Sequence, residues 1–300
     1  MLLFEFDRCV TAPRQPYPTW LQRFGALALA SLLITACDGT SAVDAGVGDA
    51  ASPLDAQAPD AQFPDAQFPD AQVLDAGVIE PADGGPIATA PATAADVEEA
   101  PGAGPGPFGD PAAATNGVRG AGDEGGGTDV FSIGYGEHLV LSWGGRRVRN
   151  GPGVDFAVFE NAFHYGAGST FMDPIVVEVS IDASTWVALP HDYVAADEHT
   201  YAPLTSAWVG FAGVTPVRLH AESNPVDPFD AAAAGGDHFD LDSLSPEGEA
   251  GRIRRTGFVY LRLSPAHDHD NPDTGEPFPR DGVSNGPDVD GVAARYVDAS

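Results

Sequence analysis

The chain has 300 residues, with 44 acidic and 14 basic side chains and a formal net charge of −30 at pH 7. A surface this negative repels nucleic acid and anionic lipid, so we expect neither as a partner. The two cysteines, Cys9 and Cys37, both precede the part of the chain that can fold. The folded part therefore has no disulfide framework and no thiol chemistry.

The N-terminal segment has the features of an exported lipoprotein. Three arginines precede an apolar run at 24–35, which is too short to span a bilayer and fits the core of a signal peptide. The run ends in Ile34-Thr35-Ala36-Cys37, which resembles the lipobox of bacterial lipoproteins. We predict a lipoprotein signal peptide at 1–37 and lipidation of Cys37, which would anchor the protein to a bacterial membrane, exposed at the cell surface. A plain signal peptide with a chance cysteine is the alternative.

Residues 38–95 are rich in Ala, Asp, Pro, Gly and Gln. They contain a five-residue repeat, DAQAP-DAQFP-DAQFP-DAQVL, which places an aspartate at every fifth position from Asp55 to Asp75. Regular prolines and like charges favour an extended chain that cannot bury a core. We predict a disordered acidic linker at 38–95 that lifts the following domain off the membrane.

Short apolar or alternating stretches separated by Gly, Pro, Asn and Asp fill the rest of the chain. We predict strands at 130–133, 139–143, 155–159, 175–181, 185–189, 217–220, 257–263 and 292–297. No stretch has a long helical period, and 230–235 can form at most one helical turn. Many short strands with turn residues between them are typical of an all-β fold, so we predict an antiparallel β-sandwich over 96–300.

Several motifs in this region are similar to those of a family of secreted bacterial cell-surface proteins, often lipoproteins. In chain order they read TDVFSIGYGEHLVLSW, NGPGVDFAVFENAF, VVEVSIDASTW, GFAGVTPV, GGDHFDLDSL and GPDVDGVAARY, covering roughly 96–300. The family is marked by GPGxDFxVFEN and FDLDAV-type motifs. The resemblance implies a jelly-roll-like sandwich of mostly unassigned function. The chain departs from the pattern at Pro287, where the family has a phenylalanine.

Oxygen-bearing side chains cluster near three strand ends and suggest a calcium site. Calcium takes six to eight oxygen ligands, and acids two residues apart on a strand point the same way. The predicted metal ligands are Asp155, Glu160 and Asn161; Asp240 and Asp242; Asp288 and Asp290. The alternative is that these are loop caps and turn residues of an acidic protein.

Aromatic residues in loop-like regions are candidates for contact with a ligand such as a sugar. The predicted ligand-binding residues are His164, Tyr165, Tyr193, Tyr201 and Trp208, whereas Trp186 is expected in the core. No GxSxG or HExxH motif occurs, and no pair of acids is marked out as catalytic.

The sequence as a whole predicts a non-enzymatic, lipid-anchored cell-surface protein. Its calcium-stabilised β-sandwich would bind an extracellular protein or glycan. A carbohydrate-binding module is the first alternative, and a polysaccharide hydrolase is the second.

Overall fold

The computed structural model describes residues 91–299, except 105 and 167. The predicted signal peptide, the lipidation site Cys37 and almost all of the predicted linker lie outside the described residues. Within the described part of the chain, none of the helices has the length and apolar character needed to cross a bilayer.

Antiparallel strands make up most of the regular structure. They are β1 (Ala92–Thr93), β2 (Asp96–Glu99), β3 (Phe131–Ser132), β4 (Leu139–Ser142), β5 (Phe156–Glu160), β6 (Phe163–Tyr165), β7 (Ser169–Phe171), β8 (Ile175–Ser180), β9 (Val187–Ala188), β10 (Asp192–Tyr193), β11 (Trp208–Val209), β12 (Asp237–Phe239), β13 (Tyr260–Pro265), β14 (Asp270–Asn271), β15 (Glu276–Pro277) and β16 (Asp288–Ala294). The helices are α1 (Ala231–Ala234), α2 (Gly248–Thr256) and short 3-10 turns at Pro111–Thr115, Thr205–Ala207, Leu241–Ser243 and Ala266–Asp268. The prediction of an all-β fold is confirmed.

Two five-stranded sheets form the body of the domain. Sheet one has the order β1-β16-β5-β12, with β3 also paired to β16, and sheet two has the order β2-β4-β13-β8-β9. β6–β7, β10–β11 and β14–β15 form separate two-stranded sheets. Every strand pair is antiparallel, and β16 has an irregularity between Val289 and Gly291, where its register against β5 shifts.

The two sheets share one apolar core between them. Phe156 and Val158 of β5 pack with Val179 of β8 and Leu261 of β13, and all four side chains are fully buried. Alternate residues of a strand point to opposite faces, so these positions define the inner face of each sheet. Burial of large apolar side chains stabilises a fold by roughly 1.5–3 kcal/mol each, so this shared core holds the sheets together.

The outer faces of the sheets are also covered. Ala157 and Phe159 lie on the opposite face of β5 and pack against Leu219 and Phe229 from the loops outside sheet one. Val176 of β8 packs on its outer side with a second group of apolar residues that includes Phe211. This double coverage explains why all five residues of β5 and all six of β8 are buried, instead of alternating between buried and exposed.

Some elements differ from the sequence predictions. Ala92 and Thr93, assigned to the linker, pair with β16 as β1, and Ala94 is buried. The predicted strand 217–220 forms only isolated bridges, and α2 was not predicted. Trp186, expected in the core, is only partly buried and lies under the guanidinium of Arg262, 4.4 Å from its ring centroid.

Candidate functional site

The seven predicted metal ligands fall into separate places. Asp155 immediately precedes β5 and Glu160 is its last residue. Five residues of extended chain separate their Cα atoms by about 16 Å. Since one calcium ion binds oxygens within about 2.6 Å of itself, these two carboxylates cannot share an ion. The structure therefore does not gather the seven side chains at a single site.

Asp155 immediately precedes β5 and lies near Asp240 and Asp242. Its carboxylate is fully buried and accepts hydrogen bonds from the backbone N–H groups of Gly151, at 2.8 Å, and Leu241, at 2.7 Å. Asp240 caps the 3-10 turn that follows it by accepting from Asp242 N–H. Asp242 accepts from Asn150 and pairs with Arg254. Each carboxylate here already has protein partners, which fits a structural role.

Asp290 is also occupied by the protein. Both of its carboxylate oxygens accept from the backbone N–H of Arg119 at 2.9 Å. The side chain is buried, and the backbone contact ties the loop before β3 to β16. Asp290 thus has a backbone partner for both oxygens, as Asp155 has.

Glu160, Asn161 and Asp288 do meet, at the opposite end of β5. Asp288 donates its backbone N–H to Glu160 Oε1 at 3.0 Å, and the Asn161 amide donates to Asp288 Oδ2 at 3.4 Å. Ser132 Oγ also donates to the Asp288 carboxylate. The antiparallel pairing of β5 with β16 causes this meeting, because the last residue of one strand lies beside the start of the other.

Two further acids, Asp173 and Asp237, belong to the same end of the molecule. Asp237 begins β12, which pairs with β5, and Asp173 lies two residues before β8 of sheet two. Both are buried. We call Glu160, Asp173, Asp237 and Asp288 the carboxylate rim. The sequence analysis missed Asp173 because it stands alone, and Asp237 because Asp240 and Asp242 of the same motif were the predicted ligands. Only the inner-face alternation of β8 and β12 could have indicated them.

The inner face of the sheets explains why the rim is buried. Glu160 has the same strand parity as Phe156 and Val158, whose side chains lie in the shared core, so it points between the sheets. Gly213 closes the space beside it in a left-handed conformation, with φ of 75°. A side chain at Gly213 would place a Cβ 2.4 Å from the Asp173 carbonyl oxygen and 3.4 Å from Glu160 Cγ.

Burial raises the pKa of each rim acid. It raises the pKa of Asp173 to about 7, and the nearby carboxylates of Asp281 and Asp288 add to the effect. Burial raises the pKa of Asp237 to about 6, and it also raises the pKa of Asp288. Burial and the charge of Asp173 raise the pKa of Glu160 well above its usual range. Burial therefore makes ionisation of the rim acids costly.

One rim oxygen has no hydrogen-bond partner among the described residues. Glu160 is 3% exposed, and its Oε2 accepts no hydrogen bond, while Oε1 accepts one from Asp288. Buried polar atoms are almost always hydrogen-bonded, so this atom requires an explanation. Among the described residues, no group of three or more His, Cys, Asp or Glu side chains is arranged to hold a metal ion. Any ion at the rim would therefore need other oxygens to complete its shell.

A narrow cleft opens to solvent beside the rim, and Asp173 forms part of its wall. The cleft has an empty volume of about 250 Å³ including its open mouth, and four prolines line it. Its other polar and aromatic lining residues are Tyr135, Tyr201, His267, Arg280 and Asp281. The guanidinium of Arg280 lies 4.3 Å from the ring centroid of Tyr135. Tyrosine and arginine in a concave site are the residue types that dominate binding energy at interfaces.

The five predicted ligand-binding residues with ring side chains also lie in different places: two in the core, one in the cleft wall and two on the surface. Tyr193 and Trp208 are each 1% exposed and pack on each other with ring centroids 4.1 Å apart, so they are core residues and not a stacking surface. Tyr201 is half-buried and lines the cleft, donating its hydroxyl to the Met172 carbonyl oxygen. His164 and Tyr165 are exposed on β6, and His164 contacts Thr170 across the β6–β7 pair.

In comparisons with known proteins, no protein-family model, no curated protein and no solved structure matches this chain.

Proposed function

We propose that this chain is an exported, lipid-anchored bacterial cell-surface protein whose two-sheet domain binds an extracellular partner. The domain is non-enzymatic, has a jelly-roll-like arrangement and is stabilised by calcium. The chain belongs, in this proposal, to the surface-protein family that its GPGVDFAVFEN motif resembles. The signal peptide at 1–37 and the acidic linker place the domain outside the cell and away from the membrane.

The observation that carries the proposal is the cleft beside the carboxylate rim. It combines Tyr135, Tyr201 and Arg280 with the acids Asp173 and Asp281 in one concave surface. Prolines on its walls limit backbone movement, which lowers the conformational entropy that binding costs. These features support a preformed site for a protein or glycan.

Binding of the full chain to arrays of extracellular proteins and glycans tests this proposal. Arg280→Ala should lower affinity for any partner at least tenfold, because Arg280 is exposed at the cleft. Arg252→Ala is the matched control, since Arg252 is an exposed arginine on α2 that does not line the cleft. Equal affinities for the two variants would contradict partner binding at the cleft.

A carbohydrate-binding module is the second candidate, favoured by the two tyrosine rings in the cleft wall. Retention on glycans alone, lost on Tyr135→Ala, would select this candidate over a protein partner. A polysaccharide hydrolase is the third. Incubation with surface polysaccharides that releases no new reducing ends would remove it.

Anchoring has its own test. Expressed in a bacterial host, the Cys37→Ser variant should leave the membrane fraction and change its processed size, because the acyl chains can no longer be attached. Unchanged membrane partitioning and size would contradict lipidation at Cys37.

A further inference from the structure

We infer that the carboxylate rim binds one divalent cation, calcium by its ligand chemistry, between Glu160 of sheet one and Asp173 of sheet two. This inference rests on the calcium-stabilised domain proposed above and names the residues that hold the ion. Asp173 was not among the predicted ligands. Asp155, Asp240, Asp242 and Asp290 are not part of the site.

The four carboxyl groups of the rim lack a basic partner among the described residues. Four carboxyl groups lie at the rim, and Glu160 senses the charges of Asp173, Asp288 and Asp237. In the described part of the chain, no ion pair with an arginine or histidine reaches any of the four. Buried charges in proteins are normally paired or coordinate a metal, and a cation at the rim would supply the missing positive charge.

One carboxylate oxygen of Glu160 is also left free inside the domain. Glu160 Oε2 is buried and has no hydrogen-bond partner among the described residues, and its side chain lies on the strand face that points between the sheets. Gly213 lies against both the Asp173 backbone and the Glu160 side chain, so the two acids are near each other. The protein holds the other oxygen, Oε1, through the backbone N–H of Asp288. A carboxylate fixed by one oxygen with the other left free is suited to ligate an ion.

The donor types select the ion. The rim offers carboxylate oxygens, and the Asn161 amide and the Ser132 hydroxyl lie beside it. The rim has no histidine or cysteine. Hard oxygen donors suit calcium, which accepts irregular shells that include backbone carbonyls and water. Such oxygens would complete the shell, because the rim acids alone do not form a group of three metal ligands. The adjoining cleft gives water a route to the Asp173 side of the ion.

Glu160 and Asp173 sharing one proton is the competing arrangement. A shared proton also relieves repulsion between two buried carboxylates. Both arrangements predict stabilisation by acid in EDTA, but only the cation site predicts stabilisation by calcium at neutral pH.

Thermal melting of the full chain, purified in detergent at pH 7.5, tests the inference with calcium chloride and with EDTA. The variants are Glu160→Gln, which keeps the side-chain shape, and Asp288→Asn as a second rim variant. Asp242→Asn is the control, since Asp242 is an exposed acid paired with Arg254 near the other end of β5. Saturating calcium should raise the wild-type melting temperature by on the order of 5 °C.

The inference predicts that Glu160→Gln lowers calcium affinity at least tenfold while raising the melting temperature in EDTA, because a repelled buried charge is removed. Asp242→Asn should keep the wild-type response. Loss of the response in Asp242→Asn but not in either rim variant would overturn the assignment and leave calcium stabilisation standing. No calcium response in the wild type, with stabilisation on acidification, would overturn the cation in favour of the shared proton.

Discussion

Residues of one chemical type have different surroundings in this domain. Asp155 and Asp290 are buried and accept backbone hydrogen bonds, whereas Glu160 is buried with one oxygen free. A buried carboxylate can therefore either hold a loop through backbone hydrogen bonds or remain available to a ligand. The unpaired oxygen, and not burial alone, separates Glu160 from Asp155, Asp290 and the rim acid Asp237, which accepts from the Val214 N–H.

Replacing Asp155 should reveal its structural role. In Asp155→Ala, two buried backbone N–H groups, those of Gly151 and Leu241, lose their acceptor. Leaving buried donors unpaired costs about 1–3 kcal/mol each, so we expect the free energy of unfolding to fall by about 2–6 kcal/mol in urea titrations. Asp242→Ala, which removes an exposed ion pair and an exposed hydrogen bond from Asn150, should cost less than about 1 kcal/mol. A larger loss in Asp242→Ala would contradict this reading.

The sequence predicted part of the rim. Glu160, Asn161 and Asp288 were selected because they lie next to strand ends in acidic motifs, and antiparallel pairing does bring them together. The sequence did not show that Asp155 is separated from Glu160 by the full length of β5. Asp173 has no acidic neighbour in its own segment, and Asp237 shares its segment with Asp240 and Asp242, so only pairing across strands distinguishes these two acids.

Strands with strong apolar patterns were predictable, and short elements were not. β4, β5, β8 and β13 lie within or overlap the predicted ranges, because each carries apolar residues on a buried face. The segment 217–220 has the same apolar character, but it covers sheet one from outside and forms only isolated bridges. Its apolar side chains are buried without a strand partner.

The helix α2 was missed because its sequence, GEAGRIRRT, lacks a repeated apolar stripe. Ile253 is fully buried and packs in the shared core, and Gly257 ends the helix with φ of 79°. The helix is therefore fixed by tertiary contact and capping, which a periodicity argument does not detect.

A pair of substitutions on α2 tests that explanation. Ile253→Ala should lower the free energy of unfolding by about 2–4 kcal/mol, because it opens a cavity in the shared core. Arg252→Ala on the exposed face should stay within about 0.5 kcal/mol of wild type. Equal losses, measured by urea unfolding, would mean that α2 is not held by its buried side chain.

The whole molecule combines a buried acidic rim with a net charge of −30. The pKa values of Asp155, Asp173 and Asp290 are raised to about 7 by burial, and that of Asp237 to about 6. A raised acid pKa adds stability that is complete below the unfolded value near 4 and lost as pH rises through the folded value. Stability without calcium should therefore decline between about pH 4 and pH 7.

Melting temperatures in EDTA at pH 5 and pH 8 check this dependence. We expect the value at pH 5 to be higher by several degrees, and calcium at pH 8 to recover part of the difference. A melting temperature that is equal or higher at pH 8 in EDTA would contradict the burial of uncompensated carboxyl groups.

The domain as a whole joins two sheets at one acidic end, and the central claim is that an ion holds that end together. A crystal structure of the protein grown with calcium measures this most directly. We predict density for one ion within about 2.3–2.6 Å of the Glu160 carboxylate, with an Asp173 oxygen also in its shell. An ion bound instead beside Asp240 and Asp242, or a direct contact between the Glu160 and Asp173 carboxyl groups with no ion, would contradict the account.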